Sequence, residues 1–177
     1  MDQQQSIAPR PVEPRQLRFA DDGSTPNSVL PVLLYAMQWP HGTDRAAAFE
    51  ALFEVHGWPA LWRDGVFPYH HFHPNAHEVL GVAQGEARLT LGGTAGQTIS
   101  VKAGDVLVLP AGTGHRCMTC SEDFVVVGGY PRGQEDYEVE RPNARGHAQA
   151  VARIAKVALP KLDPVLGKEG GVVKLWR

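Results

Sequence analysis

The sequence predicts a single, mainly β domain, an antiparallel sandwich or barrel with two flanking α-helices. Three observations support this fold class. The chain has 177 residues, enough for one domain with its own core. It contains 19 glycines and 14 prolines, which favour turns over a helical bundle. Short segments with strand character follow one another between residues 65 and 130, and close spacing of this kind is typical of antiparallel β folds.

The elements are expected in the following order. Residues 1–15 are polar and contain three prolines, which predicts a flexible N-terminal arm ahead of one domain over residues 16–177. A first helix is predicted at residues 45–56, between the capping residue Asp44 and the stop signal Gly57. Turn residues then separate six predicted strands, which are residues 77–84, 86–91, 98–102, 105–109, 115–120 and 124–130.

Two further elements complete the prediction. A second amphipathic helix is expected at residues 144–157, with Ala148, Val151, Ala152 and Ala155 on its apolar face. The tail contains a strand-like stretch at residues 172–176. Neither of the two predicted helices carries a chemical signal.

Charge and hydropathy argue against several function classes. The 17 Lys and Arg residues against 19 Asp and Glu residues give a net charge of −2, which disfavours an electrostatic nucleic-acid binder. The most apolar run, residues 29–39, has about half the length that a bilayer requires, so no membrane span is predicted. The first five residues include an acid and no apolar stretch, unlike a signal peptide. Two cysteines suit a reducing compartment, and we expect a cytoplasmic protein.

Histidines are concentrated in one short segment. Four of the eight lie between residues 68 and 78, and neutral imidazole is the commonest metal ligand in proteins. His71 and His73 are two residues apart, so on an extended strand both point to one face. A turn after His73 resets the alternation, so that Glu78 can face inward beside them while His77 faces outward.

A fourth ligand is available downstream. His115 begins a predicted strand after a turn rich in Pro and Gly, and Cys117 and Thr119 are expected to share its face. Three imidazoles and one carboxylate suit Fe, Mn, Ni, Cu or Zn better than Ca or Mg, which prefer oxygen ligands. Ligand type does not select within that group of transition metals.

The two cysteines form a C-x-x-C pattern within the same predicted strand. Residues three apart on a regular strand face opposite sides, so the Cys117 and Cys120 sulfurs are expected to diverge. The sequence has no second cysteine pair to complete a zinc site. Cys117 alone is therefore a candidate to line a cavity.

The spacing of these residues resembles the two motifs of the cupin family. The first motif reads G-x5-H-x-H-x4-E-x6-G, and it is matched by Gly65, His71, His73, Glu78 and Gly85. All five motif positions are matched.

The second motif, G-x5-P-x-G-x2-H-x3-N, lies 18 residues further on. It is matched by Gly104, Pro110, Gly112 and His115, with Thr119 where the family usually has Asn. The exchange lies outside the ligand set, and it bears on the surroundings of the site rather than on metal capture.

The resemblance implies a jelly-roll barrel (a double-stranded β-helix) with its core motifs at residues 65–130. It also implies one divalent transition metal per chain inside the barrel, held by His71, His73, Glu78 and His115. Further segments are similar to the YjlB-like group of small bacterial single-domain cupins, a group without an established reaction. These segments are residues 21–23, Asn27, 57–58, 69–71, 77–81, 110–115 and 163–165.

Two functions stay open at this point. The first is a metal-dependent enzyme acting on a small molecule, with dioxygenase- or isomerase/lyase-type chemistry. The second is a non-catalytic cupin that binds or senses a small molecule. Four residues are candidates to line the pocket or to support the ligands, namely Tyr69, His77, Cys117 and Thr119. The family resemblance also implies a homodimer, for which residues 17–20 or 29–37 could supply an exchanged strand.

Overall fold

The computed structural model describes residues 13–177, and the first part of the predicted arm lies outside them. Nine strands and three helices follow one another along this part of the chain. They are β1 (Arg15–Phe19), β2 (Ser28–Ala36), α1 (Arg45–Val55), β3 (Ala60–Asp64), β4 (Glu78–Gln84), β5 (Glu86–Leu91), β6 (Gln97–Lys102), β7 (Asp105–Leu109), β8 (His115–Cys120), β9 (Val125–Gly129), α2 (His147–Ile154) and α3 (Gly171–Leu175). Among the described residues, no helix is both long and apolar enough to cross a bilayer.

The strands form two antiparallel sheets. The larger sheet has the order β1-β2-β7-β4-β9-β3, and the smaller has the order β6-β5-β8. In β5 the buried residues Ala87, Leu89 and Leu91 alternate with more exposed ones, as expected for a strand with one face in the core. The predicted mainly β fold with few helices is confirmed.

The core has two layers, one on each face of the larger sheet. The central strand β4 is almost entirely buried because both of its faces are covered. Val79 and Ala83 pack on the side of α1, whereas Leu80 and Val82 face the smaller sheet. Glu78 begins the same strand and, being even-numbered like Leu80, has its side chain on the face between the two sheets.

The first helix forms as predicted. The Asp44 side chain accepts a hydrogen bond from the Ala47 amide, and Gly57 follows the helix with φ of +78°. Phe49 and Phe53 are fully buried against the larger sheet. This contact uses the space over Gly81, where a Cβ atom would lie 2.8 Å from the Phe49 ring.

Two elements of the C-terminal third differ from the prediction. The second helix is shorter than predicted, and the residues expected on its apolar face (Ala148, Val151, Ala152 and Ala155) are exposed. It packs instead through Ala150, and Arg153 forms ion pairs with Glu138 and Glu140.

The strand expected at residues 172–176 is instead the short helix α3. Its Val172 amide donates to the buried carboxylate of Asp163, and the Trp176 indole donates to the carbonyl of Pro31. These bonds hold the tail against Pro31 of β2 and against the buried loop around Asp163, and the tail forms a short helix that does not pair with a strand.

The N-terminal strands pair within the same chain. β1 pairs with β2, and β2 pairs with β7, which lies near the middle of the larger sheet. The segments considered for strand exchange are thus engaged in the single chain. β3, which pairs with β9, was not predicted.

Candidate metal centre

The site lies between the two sheets, at the point where the histidine segment meets the start of β8. His71 and His115 form an antiparallel bridge, with amide-to-carbonyl distances of 3.2 and 2.9 Å. The carbonyl of His73 accepts the Gly112 amide at 2.9 Å, which ties the Pro/Gly turn to the same segment. The backbone therefore brings together side chains that lie more than 40 residues apart in the sequence.

Three imidazoles converge at this point. One ring nitrogen from each of His71, His73 and His115 lies within 4.8 Å of the others, and all three side chains are buried. Buried imidazoles that meet without apolar residues between them form a donor set suited to a metal ion. The described residues thus contain a buried histidine triad that could bind a metal.

Hydrogen bonds to the backbone fix how these rings are oriented. Nδ1 of His71 lies 3.0 Å from the Tyr69 carbonyl, and Nδ1 of His115 lies 3.0 Å from the Thr113 carbonyl. Nδ1 of His73 lies 2.7 Å from the carbonyl of Glu138. A carbonyl only accepts, so Nδ1 carries a proton in each ring and Nε2 faces the centre.

The protonation states of the rings differ. Burial, followed by the neighbouring His115, lowers the pKa of His71 to about 3, so its Nε2 keeps a free lone pair at neutral pH. Burial also opposes the charged form of His73, but the Glu78 carboxylate outweighs it and raises the pKa of His73. In the metal-free protein, His73 Nε2 donates to Glu78 Oε2 at 2.9 Å. A metal bound at this nitrogen would have to displace that proton.

Glu78 contacts two of the three histidines. Its Oε1 lies 3.1 Å from Nε2 of His115, but this buried oxygen has no hydrogen-bond partner. Burial disfavours the carboxylate form, yet His73 and His115 together keep the pKa of Glu78 well below its usual value. Glu78 is thus a buried, ionised carboxylate with one oxygen that accepts no hydrogen bond. Beside three imidazoles, such a group suits coordination of a cation at the centre.

Tyr130 holds the other side of this carboxylate. Its hydroxyl donates to Glu78 Oε2 at 2.5 Å and accepts a hydrogen bond from the Trp62 indole at 2.9 Å. Burial, and then the charge of Glu78, raises the pKa of Tyr130. The Tyr130 ring stacks on Tyr137 with a centroid distance of 3.9 Å. Tyr130 therefore keeps its proton and serves as a hydrogen-bond donor to Glu78.

A cavity of about 370 Å³ opens beside these side chains. Its walls are mainly aromatic and apolar, with Trp62, Phe67, Tyr130 and Tyr137 among them. The described residues that line it include no lysine or arginine, and the only carboxylate besides Glu78 is Asp64. The arrangement combines a polar centre with an apolar space above it, as in many small-molecule sites.

Comparison with known proteins places this architecture in a family. A profile described as "Cupin domain" matches residues 61–127, a range that contains all three histidines and Glu78. The "Uncharacterized protein YjlB" of Bacillus subtilis (strain 168) is 40% identical over 160 residues, which cover 89% of this chain and 93% of that protein. The chain is a YjlB-like cupin.

Solved structures that match this YjlB-like cupin are more distant in sequence. A protein with a double-stranded β-helix domain from Klebsiella pneumoniae is 15% identical, over 77% of this chain and 84% of that one, with a TM-score of 0.36. Procruciferin, the 11S globulin of Brassica napus, is 17% identical over 63% of this chain, with a TM-score of 0.38. The YjlB-like cupin covers only 22% of the globulin chain.

None of the four candidate pocket residues lines the cavity of the YjlB-like cupin. Tyr69 lies outside the cavity but contacts a candidate metal ligand. Its carbonyl accepts a hydrogen bond from His71, and its ring packs edge-on against the same imidazole. His77 points away from the centre, as predicted, but it is not on the surface. Its Nδ1 accepts the Ala111 amide and its ring packs against Trp176, because the C-terminal tail covers this side.

A β-bulge changes the expected arrangement of strand β8. Leu89 pairs with Cys117 and Arg88 pairs with Thr119, so Met118 is an extra residue without a cross-strand partner. Thr119 consequently lies on the exposed face, and the prediction that it shares the face of His115 is wrong.

The bulge also brings the two cysteines to one face, contrary to the expected divergence. Cys120 pairs with Ala87, and Cys117 pairs with Leu89, which lies on the same side of β5. Burial, and then the neighbouring Cys120 thiol, raises the pKa of Cys117 to about 11. The two thiols are thus neighbours.

Sequence reasoning missed Tyr130 and Tyr137 as site residues. Tyr130 follows β9, and 52 positions separate it from Glu78. Tyr137 lies in a segment without regular structure. The available signal was weak, because it consisted only of a tyrosine at the end of the predicted strand 124–130 and a second tyrosine shortly after it.

Proposed function

We propose that this YjlB-like cupin is a metal-dependent enzyme of small-molecule metabolism, with one divalent transition ion held by His71, His73, Glu78 and His115. The observation that carries the proposal is the set of three Nδ1-to-carbonyl bonds, which turn the three Nε2 atoms toward one buried point. The unpartnered Oε1 of Glu78 supports the same conclusion. A bound Fe, Mn, Ni, Cu or Zn ion would supply Lewis-acid chemistry or, if redox-active, O2 chemistry.

The cavity indicates what kind of molecule this centre would accept. Its volume of about 370 Å³ suits a small metabolite. Without a lysine or arginine among the described lining residues, a second carboxylate on the ligand would be buried without a partner. We therefore infer a ligand with one polar group directed to the centre and an apolar or aromatic body against Phe67 and Tyr137.

The side chains of the cavity divide into engaged and free groups. Glu78 is held by His73 and Tyr130, and the Tyr130 hydroxyl both donates and accepts. Besides Glu78, Tyr130 and the three histidines, which are engaged as candidate metal ligands, Asp64 and Tyr137 are the titratable side chains among the described lining residues. A reaction that needs a protein base would have to use one of these two.

Because few side chains in the cavity are free to act as a base, a second candidate function also has support. It is a non-catalytic cupin that binds or senses a small molecule. The two functions share the cavity and differ in turnover, and the second can operate with or without a metal. The homodimer and the cytoplasmic location expected from the sequence stay predictions.

Metal analysis of protein purified without a histidine tag or added metal tests the proposal. We expect about one Fe, Mn, Ni, Cu or Zn ion per chain, and its loss in His71→Ala and His115→Ala. His147→Ala is the matched control, since His147 pairs with Asp21 away from the site and should leave the metal content unchanged. Metal-free protein whose stability does not change when these ions are added would refute the proposal.

A second measurement separates the reaction classes. Oxygen uptake by the metal-loaded protein with neutral or singly charged aromatic metabolites would identify oxygenase chemistry. Conversion of such a compound without oxygen uptake would identify isomerase or lyase chemistry. Saturable binding without any conversion would establish the binding or sensing function instead.

A further inference from the structure

Strand β8 carries two thiols whose placement depends on its bulge. On a regular strand, Cys117 and Cys120 would lie about 10 Å apart on opposite faces. In the structure they pair with Leu89 and Ala87, two alternate residues that face the same side of β5. Cross-strand partners point to the same face of a sheet, so both thiols do as well.

The register also gives the separation of the two cysteines. Alternate residues on an extended strand are about 6.7 Å apart, and the Cα atoms of the two cysteines are expected at about this spacing. Disulfides usually join Cα atoms that lie about 4.4 to 6.8 Å apart. A small tightening of the bulge at Met118 would thus bring both sulfurs within bonding geometry.

The two thiols differ in their access to solvent. Cys117 is 7% exposed and packs in the core between the sheets, whereas Cys120 is exposed at the end of the strand. Both are free thiols in the structure. An exposed thiol beside a protected one is the arrangement of an attacking and a resolving cysteine.

We propose that Cys117 and Cys120 are a dithiol pair that small disulfides of the glutathione class convert reversibly to an intramolecular disulfide. Cys120 loses its proton and attacks one sulfur of the oxidant, which forms a mixed disulfide and expels one thiolate. Cys117 loses its proton and attacks the Cys120 sulfur, which forms the protein disulfide and expels the second thiolate. The two protons pass to the expelled thiolates, so the protein is oxidised and the reagent reduced by two electrons.

The test exposes the full-length protein to oxidised glutathione and measures its intact mass. Wild-type protein is expected to become about 2 Da lighter, without an adduct, and to regain its mass when a dithiol reductant is added. Cys117→Ser is expected to keep a glutathione adduct on Cys120, since no resolving thiol is present. Cys120→Ser is expected to react at least about tenfold more slowly, because Cys117 is buried.

Other mass patterns would overturn the proposal. A stable glutathione adduct on the wild-type protein would mean that Cys117 does not reach Cys120. A covalent dimer would mean that Cys120 reacts between chains. The mass of the wild-type protein could also stay unchanged under conditions in which Cys117→Ser forms its adduct. This result would likewise overturn the proposal, because no intramolecular disulfide would have formed.

The disulfide would also act on the candidate metal centre, a consequence that depends on the proposed function. Cys117 lies two residues after His115 on the same face of β8, and its amide donates to the carbonyl of Phe67 in the cavity wall. We expect the oxidised protein to bind Zn or Mn several-fold more weakly than the reduced protein. The mass measurement needs no metal, so failure of metal binding and failure of disulfide formation are separate results.

Discussion

Replacing Tyr130 by phenylalanine would remove one hydroxyl from the centre of the site and leave the ring in place. The hydroxyl makes two hydrogen bonds, one to Glu78 Oε2 at 2.5 Å and one from the Trp62 indole at 2.9 Å. Without it, Glu78 Oε2 keeps only His73 as a partner, and the Trp62 N–H group has no acceptor. The variant thus tests whether Tyr130 holds the carboxylate.

The size of the effect follows from these two bonds. A hydrogen bond to a buried charge contributes about 1.5–3 kcal/mol, and a neutral one about 0.5–1.5 kcal/mol. Tyr130→Phe should therefore lower the unfolding free energy of the metal-free protein by about 2–4 kcal/mol. Groups that hydrogen-bond metal ligands typically change metal affinity by about 10- to 100-fold, and we expect a loss in this range.

Two assays measure the two effects. Urea unfolding followed by circular dichroism gives the stability, and competition with a chromophoric chelator gives the metal affinity. Tyr137→Phe is the matched control, because its ring stacks on Tyr130 while its hydroxyl is not bonded to Glu78. A control effect equal to that of Tyr130→Phe, or wild-type stability and affinity in Tyr130→Phe, would refute the role assigned to Tyr130.

Two further predictions concern stability. Asp163→Asn should lower the unfolding free energy by about 3–5 kcal/mol in urea denaturation, since the buried carboxylate accepts four hydrogen bonds and an amide would lose two of them; a loss below about 1 kcal/mol would contradict this. Acidification should destabilise the metal-free protein, because burial holds the pKa of His71 at about 3 and that of His77 at about 4, so the unfolded chain takes up these protons first. At pH 5, His71 and His77 should each lower the free energy of unfolding by about 2 kcal/mol, and the raised pKa of His73 should offset part of this loss. The unfolding free energy of a His77→Gln variant should therefore depend less steeply on pH than that of wild type.

The sequence predicted the central strands well, because local signals mark their ends. β5, β7 and β8 have the predicted bounds, and glycines or prolines stand at their turns. Gly85 and Gly104 adopt φ of +72° and +102°, a region that other residues rarely enter. The turn chemistry alone was therefore sufficient to place these strands.

The outer strands and the tail depend on distant partners. β2 pairs with β7, more than 60 residues away, so its place in the larger sheet has no local signature. The apolar tail has strand propensity, but the carboxylate of Asp163 accepts the Val172 amide and fixes a helix there. Tertiary bonds override local propensity in such cases.

Register errors explain the failures around β8. The alternation rule placed Thr119 on the face of His115 and separated the two cysteines. A single unpaired residue, Met118, reverses both results. The sequence of residues 115–120 alone does not predict a bulge, because a bulge depends on how the strand pairs with its neighbour.

The orientation of one candidate metal-binding histidine depends on a part of the chain that lies outside the cupin motifs. For His71 and His115, the Nδ1 acceptor is the carbonyl two residues earlier, so the extended backbone sets both rings locally. For His73 the acceptor is the carbonyl of Glu138, 65 residues away. Asn75 holds that segment, since its side chain donates to the Asp136 carbonyl and accepts the Glu138 amide.

The same segment supplies one wall of the cavity. Tyr137 lies between the two residues that Asn75 binds, and its ring packs against both His73 and Tyr130. The packing of this segment therefore sets both the orientation of the candidate metal-binding residue His73 and the shape of the cavity above it. The spacing of histidines identifies which side chains meet, whereas the segment around Tyr137 determines how one of them is turned and what can approach it. Among cupins with the same metal-binding motif, differences in this segment should therefore change which small molecule enters the cavity more than which metal is bound.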